Sequence, residues 1–189
     1  MKTELLKAMA TRRSIRSFKH KPVSEELLLQ ILEAARQAPS AGNCQARDII
    51  VVRSPEVRKQ LSEAALGQCF IDEAPLNLVV CAVRDRSAYI YGGRGRELYC
   101  ILDAAASVEN ILLAAHMLGL GTCWVGAFHD ELVSRILKLP RNLRPVGIIP
   151  VGYSDEAPGE VSRMPLDEFV HLESYGSYYK KDSRDEELR

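Results

Sequence analysis

The chain lacks the usual signatures of covalent or metal-based catalysis. No serine nucleophile elbow, phosphate-binding P-loop or pair of spaced carboxylates occurs in it. The four histidines are scattered without the spacing of metal ligands, at positions 20, 116, 129 and 171. The five cysteines are an odd number without a C-x-x-C pair, at positions 44, 69, 81, 100 and 123. We therefore predict no metal site, no disulfide framework and no catalytic side chain.

Charge and hydropathy exclude two further classes of protein. The 25 Lys and Arg residues balance the 25 Asp and Glu residues, whereas general nucleic-acid binding needs a basic excess. No apolar run approaches the roughly 20 residues of a membrane-spanning helix. Charged residues also interrupt the N-terminus where a signal peptide would be apolar, at Lys2, Glu4 and Lys7. We expect a cytoplasmic protein that binds neither nucleic acid nor a membrane.

The 189 residues, 47% of them hydrophobic, are enough for one domain with a substantial core. Helical periodicity and capping residues predict helices over 3–10, 24–38, 55–66, 97–118 and 130–138. Apolar or β-rich runs predict strands over 48–53, 76–83, 122–125 and 146–151. Residues 84–96 are polar and glycine-rich, which predicts a loop. The result is a single α+β domain over residues 1–189, with residues 172–189 as a C-terminal arm or tail.

The first motif that indicates a ligand is the basic segment from Thr11 to Phe18. Three arginines and two serines lie within it, and residues 1–21 hold seven Lys or Arg against one acid, Glu4. Arginine offers a planar fork of donors with a permanent charge, and serine adds a hydroxyl group. The pattern predicts a binding site for a phosphate monoester. A solvated basic segment is the alternative reading.

Two further stretches indicate close approach to a ligand. The loop 38–45 combines small residues with the amides of Asn43 and Gln45, which suits a planar ring with carbonyl groups and nitrogens. An ordinary helix-to-strand turn has a similar composition. Gly126 falls late in a predicted strand, where glycine often marks close backbone approach. The glycines at 92–95 and at 119–121 do not lie between a strand and its following helix, so neither run is a dinucleotide fingerprint.

Histidine contributes no further candidate. His116 lies between apolar neighbours of the long helix, which favours a structural role, and His129 has no evident partner. If the protein is an enzyme, its chemistry belongs to a bound cofactor that the protein positions.

Taken in order, the motifs resemble the FMN-dependent nitroreductase family. The resemblance spans residues 5 to about 172. It rests on Arg12-Arg13-Ser14-Ile15-Arg16-Ser17-Phe18, Pro22-Val23, Ala38-Pro39-Ser40-Ala41-Gly42-Asn43-Cys44-Gln45, Asp103-Ala104-Ala105, Ala115-His116-Met117-Leu118-Gly119-Leu120-Gly121-Thr122, Pro150-Val151-Gly152-Tyr153, and Arg163 with Pro165-Leu166.

The resemblance implies a mainly antiparallel sheet flanked by helices, in an intertwined homodimer with two FMN sites at the subunit interface. It assigns the FMN phosphate to Arg12, Ser14 and Arg163, a backbone contact to Arg13, and the ribityl chain and pyrimidine edge to Arg16. It also assigns Pro39, Ser40, Ala41 and Asn43 to contacts with the FMN that the other subunit mainly holds. Residues beside the flavin are Trp124, Val125, Gly126 and Ala127, with the Gly126 backbone N–H directed at N5.

The implied function is an oxidoreductase in which NADH or NADPH reduces FMN by hydride transfer. Flavin then reduces a small acceptor, such as a nitroaromatic compound, a quinone or oxygen, in a ping-pong cycle. Two alternatives stay open: a specialised metabolite reductase or dehalogenase of the same fold, and a non-catalytic protein that binds a flavin or another phosphate ligand. The chain departs from the family at Gln45-Ala46-Arg47, where Gln-Pro-Trp is common, and its segment before the central helix is short.

Overall fold

The structure is a computed structural model that describes residues 4–179. Two compact units divide the chain, Met1–Pro158 and Gly159–Arg189. The prediction of a single domain over 1–189 stays a prediction, and the residues 180–189 of its tail lie outside the described part of the chain.

Eight α-helices form within residues 4–179: α1 (Glu4–Thr11), α2 (Glu25–Arg36), α3 (Pro55–Ala64), α4 (Phe70–Glu73), α5 (Arg84–Arg94), α6 (Cys100–Met117), α7 (Asp130–Ile136) and α8 (Leu166–Phe169). A 3-10 turn covers Ala41–Asn43, and a π-helical turn over Gly95–Tyr99 joins α5 to α6. The strands are β1 (Arg47–Val52), β2 (Leu76–Val83), β3 (Gly121–Thr122) and β4 (Leu143–Gly152).

The four strands form one sheet in the order β1-β2-β4-β3, and every pair is antiparallel. Strand β2 has all eight residues buried. Successive side chains of a strand point to opposite faces, so a strand with both faces covered is a continuous apolar run. That run made β2 recognisable, and its predicted bounds of 76–83 are confirmed. The predicted antiparallel α+β architecture is confirmed with it.

Helices cover both faces of the sheet. On one face, α2 and α6 pack against alternate residues of β2, among them Leu78 and Val80. On the other face, residues of α3, α4 and α7 pack against Val79 and Cys81. The Ser24 hydroxyl caps α2 by accepting from the backbone N–H of Leu27 at 3.3 Å, as its sequence predicted.

The predicted loop over 84–96 is wrong, because residues 84–94 form α5 and the helix continues through the π-helical turn into α6. Glycine content suggested a loop, yet only Gly92 has a positive φ, of 54°, and it kinks the helix rather than ending it. Gly95 is buried, and a Cβ there would meet the Ser87 backbone. Gly95 therefore allows its backbone to pack closely against the backbone of Ser87.

The predicted strand 122–125 is largely wrong, since β3 ends at Thr122. Val125 instead forms an isolated bridge with Ile148 of β4. The other elements shift by a few residues, the usual uncertainty at their ends. Strand β4 begins at Leu143 rather than 146, and α7 ends at Ile136.

One stretch is long and apolar enough to cross a membrane by length and composition, Arg84–Met117. Half of its most apolar window is buried inside the protein. Core helices of water-soluble proteins meet the same criterion, and α6 contributes a row of buried residues to the core beside α2.

The second unit, described by itself, contains α8 and a turn closed by a bridge between His171 and Tyr178. Arg163 lies in this unit and is exposed.

Candidate functional site

The basic segment predicted to bind phosphate borders a cavity of about 340 Å3 at the end of the sheet. Its lining comes from the end of α1, the following segment, the turn between α6 and β3, and the chain after β4: Thr11, Arg12, Arg13, Ile15, His116, Gly119, Leu120, Gly121, Thr122, Ser154, Glu156 and Pro158. The volume lies in the lower part of the range for small-molecule sites, about 300–1,000 Å3.

Backbone pairing to β3 fixes the basic segment. Ser14 forms a parallel bridge with Thr122, and the N–H of Ile15 donates to the Thr122 carbonyl at 2.9 Å. A Cβ at Gly121 would lie 2.8 Å from the Ile15 side chain, so glycine at this position lets the segment approach the sheet. The arginines are thereby held at a defined place rather than on a solvated arm, which favours the predicted binding site over the alternative.

The three arginines of the segment have different surroundings. Arg13 donates from its guanidinium group to the carbonyl groups of Ala10 at 2.7 Å and Arg12 at 2.9 Å. Arg12 and Arg16, in contrast, form no ion pair with any residue between 4 and 179. Of these two arginines, Arg12 lines the cavity, so its guanidinium charge is available there to an anionic ligand.

Glu156 is a residue that the sequence analysis missed. One carboxylate oxygen, Oε1, accepts hydrogen bonds from the backbone N–H groups of Arg16 and Ser17, the second at 3.1 Å. This pairing ties the basic segment to the chain after β4. It also places one negative charge in the lining, which partly offsets the charges of Arg12 and Arg16.

His116, expected to be structural, lines the same cavity. The Thr11 hydroxyl donates its one hydrogen to the Lys7 carbonyl at 2.8 Å, so it accepts from His116 Nε2 at 2.9 Å. Burial lowers the pKa of His116, and the charges of Arg12 and Arg13 lower it further. The lowered pKa favours the neutral imidazole at neutral pH, and the hydrogen bond to Thr11 places its proton on Nε2.

Cys123 lies next to this cluster and is 3% exposed. Burial raises the pKa of its thiol, while the charge of Arg16, a hydrogen bond with Ser14 and the charge of Arg12 act against that rise. Ser14, Arg12 and Arg16 therefore all act on the Cys123 thiol. The thiol itself remains protonated at neutral pH.

The predicted planar-ligand loop borders a different cavity, of about 370 Å3. Pro39, Ser40 and Ala41 line it together with residues around the start of α6, namely Tyr99, Leu102, Asp103 and Ala106. No residue lines both this cavity and the first cavity, which the basic segment borders. The two groups of predicted ligand contacts are therefore separate within one chain.

Asp103 organises this loop. It is 3% exposed, and its carboxylate accepts from the backbone N–H of Ala41 at 3.0 Å and of Ala46 at 3.2 Å. Ser40 adds a local bond, because its Oγ accepts from the N–H of Gln45 at 2.9 Å. The buried carboxylate group of Asp103 therefore holds the loop at Ala41, near its middle, and at Ala46, just after its end.

The middle of the loop has left-handed backbone at Gly42, Asn43 and Gln45, with φ of 52°, 55° and 49°. Asparagine and glycine tolerate this conformation best. At Gly42 the Tyr91 hydroxyl of α5 occupies the space that a Cβ would need. Asn43 and Gln45 therefore have a backbone conformation that residues other than glycine rarely adopt.

The third predicted group, 124–127, lies at the edge of the sheet. Val125 exchanges two backbone hydrogen bonds with Ile148, both at 3.0 Å. The Trp124 indole lies against Gly147, where a Cβ would be 2.6 Å from Nε1. Gly126 is exposed, and a Cβ there would meet no atom within 4 Å. The expected close approach at Gly126 is therefore not made by this chain itself, which leaves the space beside it open.

The structure thus brings Arg12, Ser14 and Arg16 together and places the loop 39–43 and the segment 124–127 elsewhere on the same unit. The first cavity has a donor that fits a phosphate group, because the guanidinium group of Arg12 lines it and has no acid partner among residues 4–179. Ser14 and Arg16 belong to the same segment but do not line the cavity. The carboxylate of Glu156, which is bonded to the basic segment, belongs to no motif that the sequence analysis found. Asp103 belongs to the motif Asp103-Ala104-Ala105, but its contacts with Ala41 and Ala46 were not predicted.

Comparisons with known proteins agree on one family. The sequence model described as the Nitroreductase family matches residues 9–153. The chain is 34% identical over 186 residues to an FMN reductase [NAD(P)H] of Bacillus subtilis, covering 91% of this chain and 74% of that protein. It is 34% identical over 193 residues to an NADH dehydrogenase of Thermus thermophilus, covering 86% and 93%. The solved structure of NfrA2 from B. megaterium superposes with a TM-score of 0.86 at 34% identity, covering 92% and 76%.

Proposed function

The chain belongs to the nitroreductase family, and on that premise we propose that it is an NAD(P)H-dependent flavin oxidoreductase that binds FMN and reduces a small acceptor. The observation that carries this proposal is the cluster of Arg12, Ser14 and Arg16 against β3. It supplies charge and a hydroxyl group at a fixed place, as a phosphate-bearing cofactor requires.

Arg12 and Ser14 would hold the FMN phosphate, and the part assigned to Arg163 by the resemblance stays a prediction. Arg13, whose guanidinium group is bonded to carbonyl groups of its own segment, would contribute its backbone. Arg16 would lie near the ribityl chain and the pyrimidine edge, where a cation stabilises negative charge on the flavin. Its backbone N–H is already bonded to Glu156, which fixes the start of that side chain.

When bound, FMN supplies the redox chemistry, accepting a hydride from NADH or NADPH and passing electrons to the acceptor. The protein's own part is to position the ring. Trp124, Val125, Gly126 and Ala127 would lie along it, with the Gly126 backbone N–H directed at N5. Val125 is fixed by its pair of bonds to Ile148, and Gly126 has no side chain to fill the open space beside it.

Purification of the protein tests the proposal directly. We expect a yellow protein that releases FMN on denaturation and loses its yellow absorbance when NADH or NADPH is added without oxygen. A protein that purifies with a flavin but is not bleached by either nucleotide would be a non-catalytic flavin-binding protein. A panel of nitroaromatic compounds and quinones, tested after bleaching, then identifies the acceptor class.

We further propose that the functional form is a homodimer with FMN at the interface. Residues 39–41 of the loop line one cavity, and Arg12, Arg13 and Ile15 of the basic segment line another. Two subunits are therefore the simpler source of both groups of contacts. Exposed apolar side chains on α1 and α6 supply surface for such an interface, among them Leu6 (57% exposed), Met9 (49%) and Leu102 (53%).

Sedimentation equilibrium of the FMN-loaded protein tests the dimer. We expect the mass of two chains, and we expect Leu6→Glu to shift the equilibrium to monomers that lose FMN. Leu132→Glu, on the exposed side of α7, is the matched control and should remain dimeric. A monomer that retains FMN would contradict the proposal.

The proposed setting is the cytoplasm, without nucleic-acid or membrane partners. A net charge of zero gives no general attraction to nucleic acid. The apolar stretch over Arg84–Met117 is half buried in its most apolar window, and the buried side chains of α6 pack in the core. Fractionation of the expressing cells tests the location.

A further inference from the structure

A third cavity, of about 310 Å3, lies at the start of β1 on the side of α2. It is lined by apolar side chains of α2 and β1, including Leu32 and Ile49, and by three arginines, Arg36, Arg47 and Arg86. Gln45 of the loop 38–45 also lines it, whereas none of the residues that the resemblance assigns to FMN does. Arg47 occupies the position at which the sequence departs from the common Gln-Pro-Trp pattern.

Two of the three cations have an acid partner. Arg36 pairs with Glu33 at 2.6 Å, and Arg86 pairs with Asp48 at 3.1 Å. Asp48 also lines the cavity, but its charge is offset by Arg86. These pairs leave the cavity close to neutral apart from Arg47.

Arg47 is 8% exposed and forms no ion pair with the residues between 4 and 179. Its Nη2 donates to the carbonyl groups of Arg36 at 2.8 Å and Ala38 at 3.2 Å, while its Nη1 is buried without a hydrogen-bond partner. Burial lowers the pKa of Arg47, as does the charge of Arg86, and the charge of Asp103 acts in the opposite direction. Buried charges are ordinarily paired, because leaving one unpaired is costly.

We propose that this cavity binds a small monocarboxylate, whose carboxylate group pairs with Arg47 and whose apolar body packs on Leu32 and Ile49. A guanidinium group matches a carboxylate in charge and in geometry. The apolar wall selects a carboxylate on a compact apolar body over a bare inorganic anion. The volume suits a ligand the size of a substituted benzoate.

The site shares Gln45 with the loop 38–45, but the residues 39–43 that are predicted to contact FMN do not line it. Arg47 holds the carbonyl of Ala38, the residue before Pro39. A carboxylate bound to Arg47 would therefore touch a side chain that holds the start of the loop, whereas Pro39, Ser40 and Ala41 line a different cavity. The proposal does not depend on FMN or on the acceptor.

The test uses the FMN-loaded protein with 4-iodobenzoate as the probe. Calorimetric titration should give at least tenfold weaker binding for Arg47→Met than for the native chain. Arg53→Met is the matched control, since Arg53 follows β1, pairs with Glu25 at the surface and does not line the cavity. Inorganic phosphate should compete at least tenfold more weakly than benzoate.

Crystals of the native protein soaked with 4-iodobenzoate locate the site even if Arg47→Met does not fold. We expect an anomalous iodine peak between Leu32 and Ile49 with the carboxylate group on Arg47. A peak found only elsewhere, such as on the flavin, would overturn the proposal. Equal binding by the native and Arg47→Met proteins, or competition by phosphate as strong as by benzoate, would also overturn it.

Discussion

The carboxylate of Asp103 accepts a hydrogen bond from the backbone N–H of Ala41 at 3.0 Å, across 62 positions of the chain. The same carboxylate also accepts from Ala46 at 3.2 Å. One buried side chain of α6 therefore holds the loop that is proposed to contact the flavin at Ala41, near its middle, and at Ala46, just after its end.

Asp103→Asn tests this anchor. The amide can accept one of the two hydrogen bonds, but its NH2 group then faces the other backbone N–H. We expect a loss of about 1–3 kcal/mol of unfolding free energy, the cost of an unsatisfied buried donor, together with weaker FMN binding. Glu109→Gln, at an exposed site of the same helix, is the control. If urea denaturation gave the same midpoint for both variants, the anchoring role of Asp103 would be excluded.

Asp103 also shows why part of the site was not predictable. Its spacing from Ala41 follows no local rule, because the contact depends on how α2 and α6 pack. Glu156 is a similar case, as it meets Arg16 and Ser17 only after β4 has crossed the sheet. The basic segment, in contrast, was recognisable from composition alone, since its arginines and serines are adjacent in sequence.

In the fold as well, features set by the local sequence were predictable and features set by packing were not. Strand β2 was predicted correctly because burial on both faces leaves an uninterrupted apolar run. Residues 84–94 were not, because their glycines and charges suggest a loop while packing makes them a helix. Val125 was placed in a strand by its neighbours, yet it forms a single bridge to Ile148. Tertiary context decided both of these cases.

Arg12→Ala tests the phosphate site. A charge-assisted hydrogen bond contributes about 1.5–3 kcal/mol, so FMN affinity should fall by at least that amount. Arg135→Ala, an exposed arginine of α7, should leave the affinity unchanged. Titration of the apoprotein with FMN and with riboflavin provides the measurement. Riboflavin binding as tight as that of FMN would contradict a site built around phosphate.

His116 predicts a pH dependence of the apoprotein's stability. Burial and the charges of Arg12 and Arg13 lower its pKa in the folded chain, so the unfolded chain binds this proton more tightly. The unfolding free energy should then decrease as the pH falls below about 6.5, the ordinary value for histidine. The slope from this one group cannot exceed about 1.4 kcal/mol per pH unit.

Urea denaturation of the apoprotein between pH 5 and pH 8 measures this effect. His116→Gln should remove that part of the slope, whereas His129→Gln, at the exposed start of α7, should retain it. Equal slopes in the native chain and His116→Gln would show that His116 does not titrate in this way.

The segment 124–127 predicts the kinetic order. If it covers one face of the flavin, the nucleotide and the acceptor must use the remaining face in turn. We therefore expect ping-pong kinetics, with parallel double-reciprocal lines when NADH or NADPH is varied at several acceptor concentrations. Intersecting lines would indicate a ternary complex and an active site in which both substrates fit together.

Gly126→Val tests the position of the flavin beside this segment. A Cβ at Gly126 meets no atom of the chain within 4 Å, so the substitution should leave folding intact. A branched side chain there would instead stand against the proposed N5 position, and flavin reduction should slow more than FMN binding weakens. Gly93→Val is the matched control, because its Cβ would also meet nothing within 4 Å. Stopped-flow bleaching by NADH at the native rate in Gly126→Val would place the flavin elsewhere.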